Sequence, residues 1–125
     1  MQILQVEDSP MICQLYSDLF SFRNHSVESA NNGQEGLELA TKNDYDLILL
    51  DMLMPKYCGR QFLKDLKDQR PSELKKVIIV SQLEFSEEEY EELLNFGIHS
   101  IQKKTMDIVR FEDTGELEVK RDLVY

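Results

Sequence analysis

The sequence has little of what several protein classes need. Its two cysteines, Cys13 and Cys58, are too few for a disulfide framework and lack the spacing of a zinc site. We therefore expect reduced thiols and a cytoplasmic protein. No apolar run approaches the length of a membrane span, and the first residues lack the basic region of a signal peptide. Neither a membrane partner nor a signal peptide is expected.

Basic residues are also scarce, because 14 Lys and Arg face 24 Asp and Glu, for a formal net charge of -10. Contacts with nucleic acid are built from Lys and Arg, so this balance argues against a nucleic-acid partner. A glycine-rich phosphate loop and a dinucleotide fingerprint are absent from the sequence as well. The 125 residues, 42% of them hydrophobic, suit one globular domain with one core.

Short apolar runs recur along the chain. Leu47–Leu50 and Val77–Val80 have no polar break, which is typical of strands buried on both faces. Weaker strands are predicted at Gln2–Val6, Val27–Ala30 and Ile98–Lys103. Helical patterns separate these runs, and this alternation predicts an α/β fold with a parallel sheet and helices on both faces.

The helices have recognisable starts. Pro10 suits a first helical turn, and Asn32 can cap a second helix. A third helix is predicted after Gly59, and Ser86 with Glu89 forms a capping box for a fourth, which is predicted to extend to residue 96. In the first helix, the apolar residues at helical spacing are Ile12, Leu15, Tyr16, Leu19 and Phe22.

Charged and polar residues end four of the predicted strands. Glu7 and Asp8 end the first strand, Asp51 the third, Ser81 the fourth and Lys104 the fifth. Parallel strands end at one edge of a sheet, so we expect these side chains to converge. Three carboxylates repel one another unless a cation lies among them, and Mg²⁺ suits such ligands. A carboxylate beside that cation can attack a phosphoryl group, and Ser81 and Lys104 can donate to its oxygens.

Each of these residues alone also has an ordinary structural explanation. A strand-end aspartate such as Asp51 commonly caps the next turn, and strand-end serines and lysines are frequent. The prediction of an aspartyl-phosphate site therefore depends on all five falling at strand ends of one α/β alternation.

From Gln2 to about Lys104, the sequence resembles the receiver domains of two-component response regulators, as found in single-domain chemotaxis regulators. The most specific match is Asp51-Met-Leu-Met-Pro55 followed by Gly59, which corresponds to the segment around the family's phosphoacceptor aspartate. Further segments that match in order and spacing are Val6-Glu7-Asp8-Ser9, Asn32-Gly33, Val77-Ile-Ile-Val-Ser81 and Gly97 to Lys104.

The resemblance implies a flavodoxin-like, doubly wound five-stranded sheet of order 2-1-3-4-5. It implies that Asp51 accepts phosphate from a histidine kinase or phosphotransfer protein, and that Ser81 and Lys104 bind the phosphoryl group. The resemblance also implies that the phosphorylated domain signals through contacts with a downstream protein partner. Homodimer formation is left open. Such a chain is a phosphoacceptor with self-catalysed steps rather than an enzyme. The implied Mg²⁺ ligands are Glu7, Asp8, Asp51 and the backbone carbonyl of Leu53.

The sequence departs from the family pattern in three places. Ile101 stands where the family usually has a Tyr or Phe that changes rotamer on phosphorylation. Thr105 replaces the proline that usually follows the site lysine, so we expect a trans bond there or a reshaped loop. Residues 105–125 alternate apolar and charged side chains around a turn, which predicts a β-hairpin or irregular arm in place of the fifth helix. We expect one receiver domain over 1–125, with a core at 1–104.

Three alternatives stay open. A receiver-like fold that no longer uses phosphate would be a phosphorylation-independent interaction module, which Ile101 and the altered end of the chain favour. A phosphatase with Asp51 as nucleophile is weaker, because such enzymes commonly have a second acid two residues later, where Leu53 stands. Lys103 competes with Lys104 as the site lysine, although the spacing from the preceding glycine favours Lys104.

Two leucines follow the site residues at the same spacing. Leu53 lies two residues after Asp51, and Leu83 lies two residues after Ser81. In the family such positions govern water access to the phosphoryl group, so apolar side chains predict slow hydrolysis. Equally, both leucines can simply pack their loops. Three neighbouring side chains are expected to pack in the interior: Met52, Met54 and Cys58.

Overall fold

The computed structural model describes residues 1–54, 56–81 and 83–103, and within them five strands alternate with four α-helices. The strands are β1 (Gln2–Val6), β2 (Ser26–Ala30), β3 (Leu47–Leu50), β4 (Val77–Ser81) and β5 (Ser100–Lys103). The helices are α1 (Pro10–Phe22), α2 (Gly33–Lys42), α3 (Gly59–Gln69) and α4 (Glu87–Leu94), and a 3-10 helix spans Pro71–Lys76.

The five strands form one parallel sheet of order β2-β1-β3-β4-β5. This order confirms the predicted flavodoxin-like, doubly wound sheet. Every residue of β3 and β4 is buried, as their unbroken apolar sequences predict for central strands covered on both faces. The chain direction is the same in all five strands, so their carboxyl ends share one edge of the sheet.

Two hydrophobic clusters cover the two faces of the sheet. One is built around α3, with Phe62, Leu63 and Leu66 fully buried, and Ile101 packs against its margin. The other contains Tyr16 and Phe20 of α1, together with alternate residues of β1, β3 and β4. Side chains of one strand point alternately to the two faces, which is why adjacent strand residues belong to different clusters.

The inward face of α1 differs from the predicted apolar spacing. Phe20 is fully buried, whereas Phe22 is 88% exposed and Leu15 is also exposed. The buried residues Cys13, Tyr16 and Phe20 follow one another at helical intervals of three and four, so they define the inner face. Phe22 falls on the opposite face at the last position of the helix.

One local prediction is wrong, and one element was not predicted. Cys58 is exposed, because it occupies the N-cap position of α3, although Met52 and Met54 are buried as expected. The 3-10 helix after Pro71 was not predicted. It contains the buried carboxylate of Glu73, which lies 3.0 Å from the Lys76 ammonium.

The predicted capping box of α4 is present. The Ser86 hydroxyl accepts a hydrogen bond from the Glu89 N–H at 3.1 Å, and the Glu89 carboxylate accepts one from the Ser86 N–H at 3.0 Å. The helix ends at Leu94, two residues before the predicted end, because the chain turns through Gly97, whose φ is +93°. β5 begins at Ser100, two residues after the predicted start of this strand at Ile98.

Several predictions lie outside the described residues, namely those for Lys104, for the bond before Thr105 and for the hairpin in 105–125. Within the described ranges no peptide bond is cis. None of the helices in that part of the chain has both the length and the hydropathy of a membrane span.

Candidate functional site

Glu7, Asp8 and Asp51 come together at the carboxyl edge of the sheet. They lie directly after β1 and β3, which are neighbouring strands. Oxygen atoms of the three carboxylates all lie within 4.8 Å of one another. Glu7 and Asp51 are only 4% and 6% exposed, whereas Asp8 is exposed to solvent. Two acids therefore lie inside the fold and the third lies at its surface.

The same side-chain-to-backbone hydrogen bond follows three of the strands. In each case, a side-chain oxygen at the strand end accepts a hydrogen bond from the backbone N–H two residues later. The pairs and their N–O distances are Glu7 with Ser9 at 3.1 Å, Asp51 with Leu53 at 3.2 Å, and Ser81 with Leu83 at 3.1 Å. A carboxylate can accept several hydrogen bonds, and the bond from the N–H two residues later orients the group.

These strand ends surround a pocket of about 330 Å³. Ser81 is buried at one side of it, and Leu53 and Leu83 are exposed at its rim. Both leucines thus lie where the predicted effect on water access would require them. The lining residues are Glu7, Asp8, Ser9, Asp51, Leu53, Ser81 and Leu83.

Tyr16 of α1 lies beneath the acids. It shares a small cavity of about 10 Å³ with Gln5, Glu7 and Asp51. Burial raises the pKa of Tyr16 to about 12, and the negative charge of Glu7 adds to this shift. The Gln5 amide donates to the Cys13 carbonyl at 2.9 Å, which fastens α1 to β1 below the pocket. From its spacing, Tyr16 was predicted only as an apolar residue of the first helix, and no local motif marks its place near the acids.

Tyr57 fastens the far end of the loop between β3 and α3. Its hydroxyl donates to the Asp65 carboxylate in α3, and its ring lies so close to Gly33 that a Cβ there would be 2.1 Å from it. Burial and then the bond to Asp65 raise the pKa of Tyr57. The preceding residue, Lys56, adopts a left-handed conformation with φ of +69°. The sequence gives no sign of these contacts, since all partners are distant from Tyr57 or depend on the folded helices.

The structure brings Glu7, Asp8, Asp51, Leu53 and Ser81 to one pocket. Lys104 lies outside the described residues. Ser9, which the sequence analysis gave no role, also lines the pocket and caps α1, its hydroxyl accepting a hydrogen bond from the Ile12 N–H at 3.4 Å. A serine immediately before Pro10 is a recognisable helix start, so this position had a local signal.

The donor set suits a hard cation. Carboxylate oxygens are ligands that Mg²⁺ accepts, and it commonly keeps several waters. Three such groups within 4.8 Å of one another, one of them open to solvent, fit an ion of this kind. Thiol and imidazole groups, which softer metals prefer, are absent from the pocket lining within the described residues.

Comparison with protein families agrees with this geometry. The family model for the response regulator receiver domain matches residues 3–114. The chain belongs to this family. Receiver domains are components of two-component systems. Membership of this family is therefore consistent with two-component signalling, as the resemblance implied.

Relatives of similar length support the family over most of the chain. The polar-differentiation response regulator DivK of Brucella anthropi is 29% identical, with 90% of each chain covered. Among solved structures, the receiver domain of the Francisella response regulator 1452 is 29% identical with a TM-score of 0.75, covering 90% of this receiver domain and 91% of that chain. The chemotaxis protein CheY4 of Vibrio cholerae is 25% identical with a TM-score of 0.79, covering 94% and 98%.

Other curated relatives are much longer than this receiver domain. The transcriptional regulatory protein DltR of Streptococcus agalactiae is 37% identical over 68 residues, which are 54% of this chain and 30% of DltR. The gliding motility regulatory protein of Myxococcus xanthus is 37% identical over 83 residues, which are 66% of this chain and 11% of that protein. Because relatives include a transcriptional regulator, the expectation that nucleic acid is no partner has no support from the comparison.

Proposed function

We propose that this receiver domain is a phosphoacceptor, in which Asp51 takes a phosphoryl group from a histidine kinase or phosphotransfer protein in the presence of Mg²⁺. Contacts with a downstream protein would then carry the output. The observation that carries the proposal is the buried carboxylate of Asp51, with oxygens of Glu7 and Asp8 within 4.8 Å, in one pocket with the Ser81 hydroxyl.

The transfer forms one bond and breaks one. A carboxylate oxygen of Asp51 attacks the phosphorus of a phosphohistidine, the P–N bond breaks, and the imidazole nitrogen keeps the electron pair. The bond from the Leu53 N–H to Oδ1 of Asp51, at 3.2 Å, orients the carboxylate for this attack. The product is an acyl phosphate on Asp51.

The remaining residues stabilise charge. We assign Glu7, Asp8, Asp51 and the Leu53 carbonyl as the Mg²⁺ ligands, and a bound Mg²⁺ would supply charge neutralisation at the phosphoryl oxygens. Ser81 accepts the Leu83 N–H at 3.1 Å, so its own O–H is suited to donate to a phosphoryl oxygen. We assign the ammonium of Lys104 to the same phosphoryl group.

Intact mass after incubation with acetyl phosphate and Mg²⁺ tests this proposal. We expect one phosphate adduct on the parent chain, and none on Asp51→Asn or in EDTA, because the carboxylate nucleophile or its cation is then missing. A folded parent chain that takes no phosphate beside a positive control would contradict the proposal. An adduct that persists in Asp51→Asn would place the acceptor elsewhere.

A second function is favoured by one observation. Ile101 is half-buried and packs against the larger hydrophobic cluster, so no aromatic ring is available at that position to change between two rotamers. A phosphorylation-independent interaction module would need no such change. The same mass measurement separates the two functions, because that module would carry no phosphate.

A further inference from the structure

The loop from Met52 to Cys58 joins β3 to α3 and carries Leu53. Its first half is anchored by the buried side chains of Met52 and Met54. Leu53 itself is 68% exposed, so its own side chain does little to hold it. Its described contact with the site is the backbone hydrogen bond from its N–H to Asp51 at 3.2 Å.

Two sets of contacts hold the second half of the loop: a backbone hydrogen bond from the Gly59 N–H to the Met52 carbonyl at 3.4 Å, and the contacts of Tyr57. Lys56 has φ of +69°, a conformation that side-chain-bearing residues adopt only where their surroundings favour it. Immediately after it, the Tyr57 ring packs against the start of α2 at Gly33, and its hydroxyl donates to Asp65 in α3. Tyr57 therefore joins the loop to two helices at once.

The acceptor of this bond is itself held in place. The second carboxylate oxygen of Asp65 accepts a hydrogen bond from the Gln61 amide at 3.0 Å. The helix that carries both residues is anchored in the core by Phe62, Leu63 and Leu66, which are fully buried. Tyr57 is thus bonded to a rigid element.

We propose that Tyr57 is a positioning residue for the metal and phosphoryl site. By fastening the end of the loop to α2 and α3, it keeps the Leu53 backbone in register with Asp51. The inference rests on the proposed function, in which the Leu53 carbonyl is a Mg²⁺ ligand. Loss of the Tyr57 hydroxyl would loosen the loop and weaken Mg²⁺ binding, although Tyr57 is not among the residues that line the pocket.

Tyr57→Phe tests this role, with Tyr45→Phe as the matched control. Tyr45 also donates its hydroxyl to a carboxylate, that of Glu28, but it precedes β3 and so lies at the opposite edge of the sheet. Both variants lose a phenol–carboxylate bond and keep the ring. Two measurements are made on each: amide hydrogen exchange of Leu53 without metal, and the Kd for Mg²⁺ by titration calorimetry.

We expect Leu53 exchange about tenfold faster in Tyr57→Phe than in the parent and unchanged in Tyr45→Phe, since exchange reports local opening. We expect the Kd for Mg²⁺ to rise by about threefold or more in Tyr57→Phe and to stay unchanged in Tyr45→Phe. A general loss of stability would instead raise the Kd in both variants. Equal exchange in the two variants, or faster exchange with unchanged Kd, would overturn the positioning role.

Measurement of Mg²⁺ binding by the parent chain distinguishes failure of the proposed function from failure of the positioning role of Tyr57. If the parent binds no Mg²⁺, the proposed function fails, and the role of Tyr57 fails with it. If the parent binds Mg²⁺ and only the variant comparison fails, the proposed function stands. Asp65→Ala provides a second route, since it removes the acceptor, and the double variant should then show little further loss beyond either single change.

Discussion

At Asp51, a capping hydrogen bond coexists with the position that the proposed chemical role requires. The ordinary explanation for a strand-end aspartate was that it caps the following turn, and Asp51 does accept the N–H of Leu53. The same bond orients a carboxylate that shares a pocket with two other acids. Glu7 and Ser81 repeat this hydrogen bond, so three strand ends orient their side chains by one local device.

The two rim leucines should control the lifetime of the acyl phosphate. Leu53→Ala and Leu83→Ala should each shorten it by up to about tenfold, equivalent to about 1.4 kcal/mol in the hydrolysis barrier, because water gains access. The decay of the phosphate adduct by mass spectrometry measures this. Phe22→Ala, an exposed apolar residue that does not line the pocket, serves as the control. Equal lifetimes in all three variants would mean that the leucines only pack their loops.

The raised pKa values of two buried tyrosines imply that the free energy of unfolding falls at alkaline pH. Burial raises the pKa of Tyr16 and of Tyr45 from 10.0 to about 12, so the native state retains these protons where the unfolded chain loses them. Their contribution is full below about pH 10 and is lost as the pH rises towards 12. Ultraviolet titration of tyrosinate should show late steps, and Tyr16→Phe should remove one of them. Ordinary titration of all tyrosines near pH 10 would contradict this.

The start of α4 was predictable from sequence, although its end was not. Its capping box needs only Ser86 and Glu89 three positions apart, and both hydrogen bonds are present. The sheet was predictable because β3 and β4 are unbroken apolar runs whose ends carry Asp51 and Ser81. These features are local, so the chain order alone was enough to assemble most of the pocket.

The cap of α4 predicts a measurable loss of stability. Ser86→Ala should lower the free energy of unfolding by about 1 kcal/mol, because the Glu89 N–H loses its acceptor. The backbone N–H of Ser86, followed by its hydroxyl, lowers the pKa of Glu89. The stabilisation that the ionised Glu89 carboxylate provides is present above the ordinary pKa of Glu89. It is lost as the pH falls through the lowered pKa of this group in the folded protein. Urea unfolding at neutral and acidic pH tests both points, with exposed Ser21→Ala in α1 as the control.

Other elements depended on contacts that sequence spacing does not carry. The burial of Phe20 instead of Phe22 follows from where α1 meets the sheet. The 3-10 helix that begins at Pro71 contains a buried acid, Glu73, which forms ion pairs with Lys76 and Arg70. Tyr57 finds its partners only after α2 and α3 have packed around the loop.

Taken whole, the molecule combines a formal net charge of -10 with an acidic pocket at one edge of its sheet. This net charge is that of the 125 residues alone. Relatives such as DltR are much longer chains. The division into a core at 1–104 and an atypical segment at 105–125 stays a prediction. Family membership covers 3–114 and therefore crosses that boundary.

Binding of Mg²⁺ should stabilise the fold as a whole. At about 100 times the Kd, a ligand specific to the native state adds about 2.7 kcal/mol to the free energy of unfolding, so Tm should rise and EDTA should reverse the rise. Asp8→Asn should abolish the rise because it removes a proposed ligand. Asp18→Asn should keep it, since Asp18 is an exposed acid of α1 outside the pocket. A full rise in Asp8→Asn would contradict the ligand assignment.

The position of β3 in the sheet also bears on synthesis. β3 pairs with β1 on one side and with β4 on the other, and each partner is separated from it in sequence by at least one helix. Such non-local pairing forms slowly, and a chain leaves the ribosome from its amino end. Asp51 is therefore translated well before Ser81 and β4, which complete its surroundings. A nascent chain stalled before β4 would carry the aspartate without a pocket, so the proposed phosphorylation of Asp51 would require the finished fold.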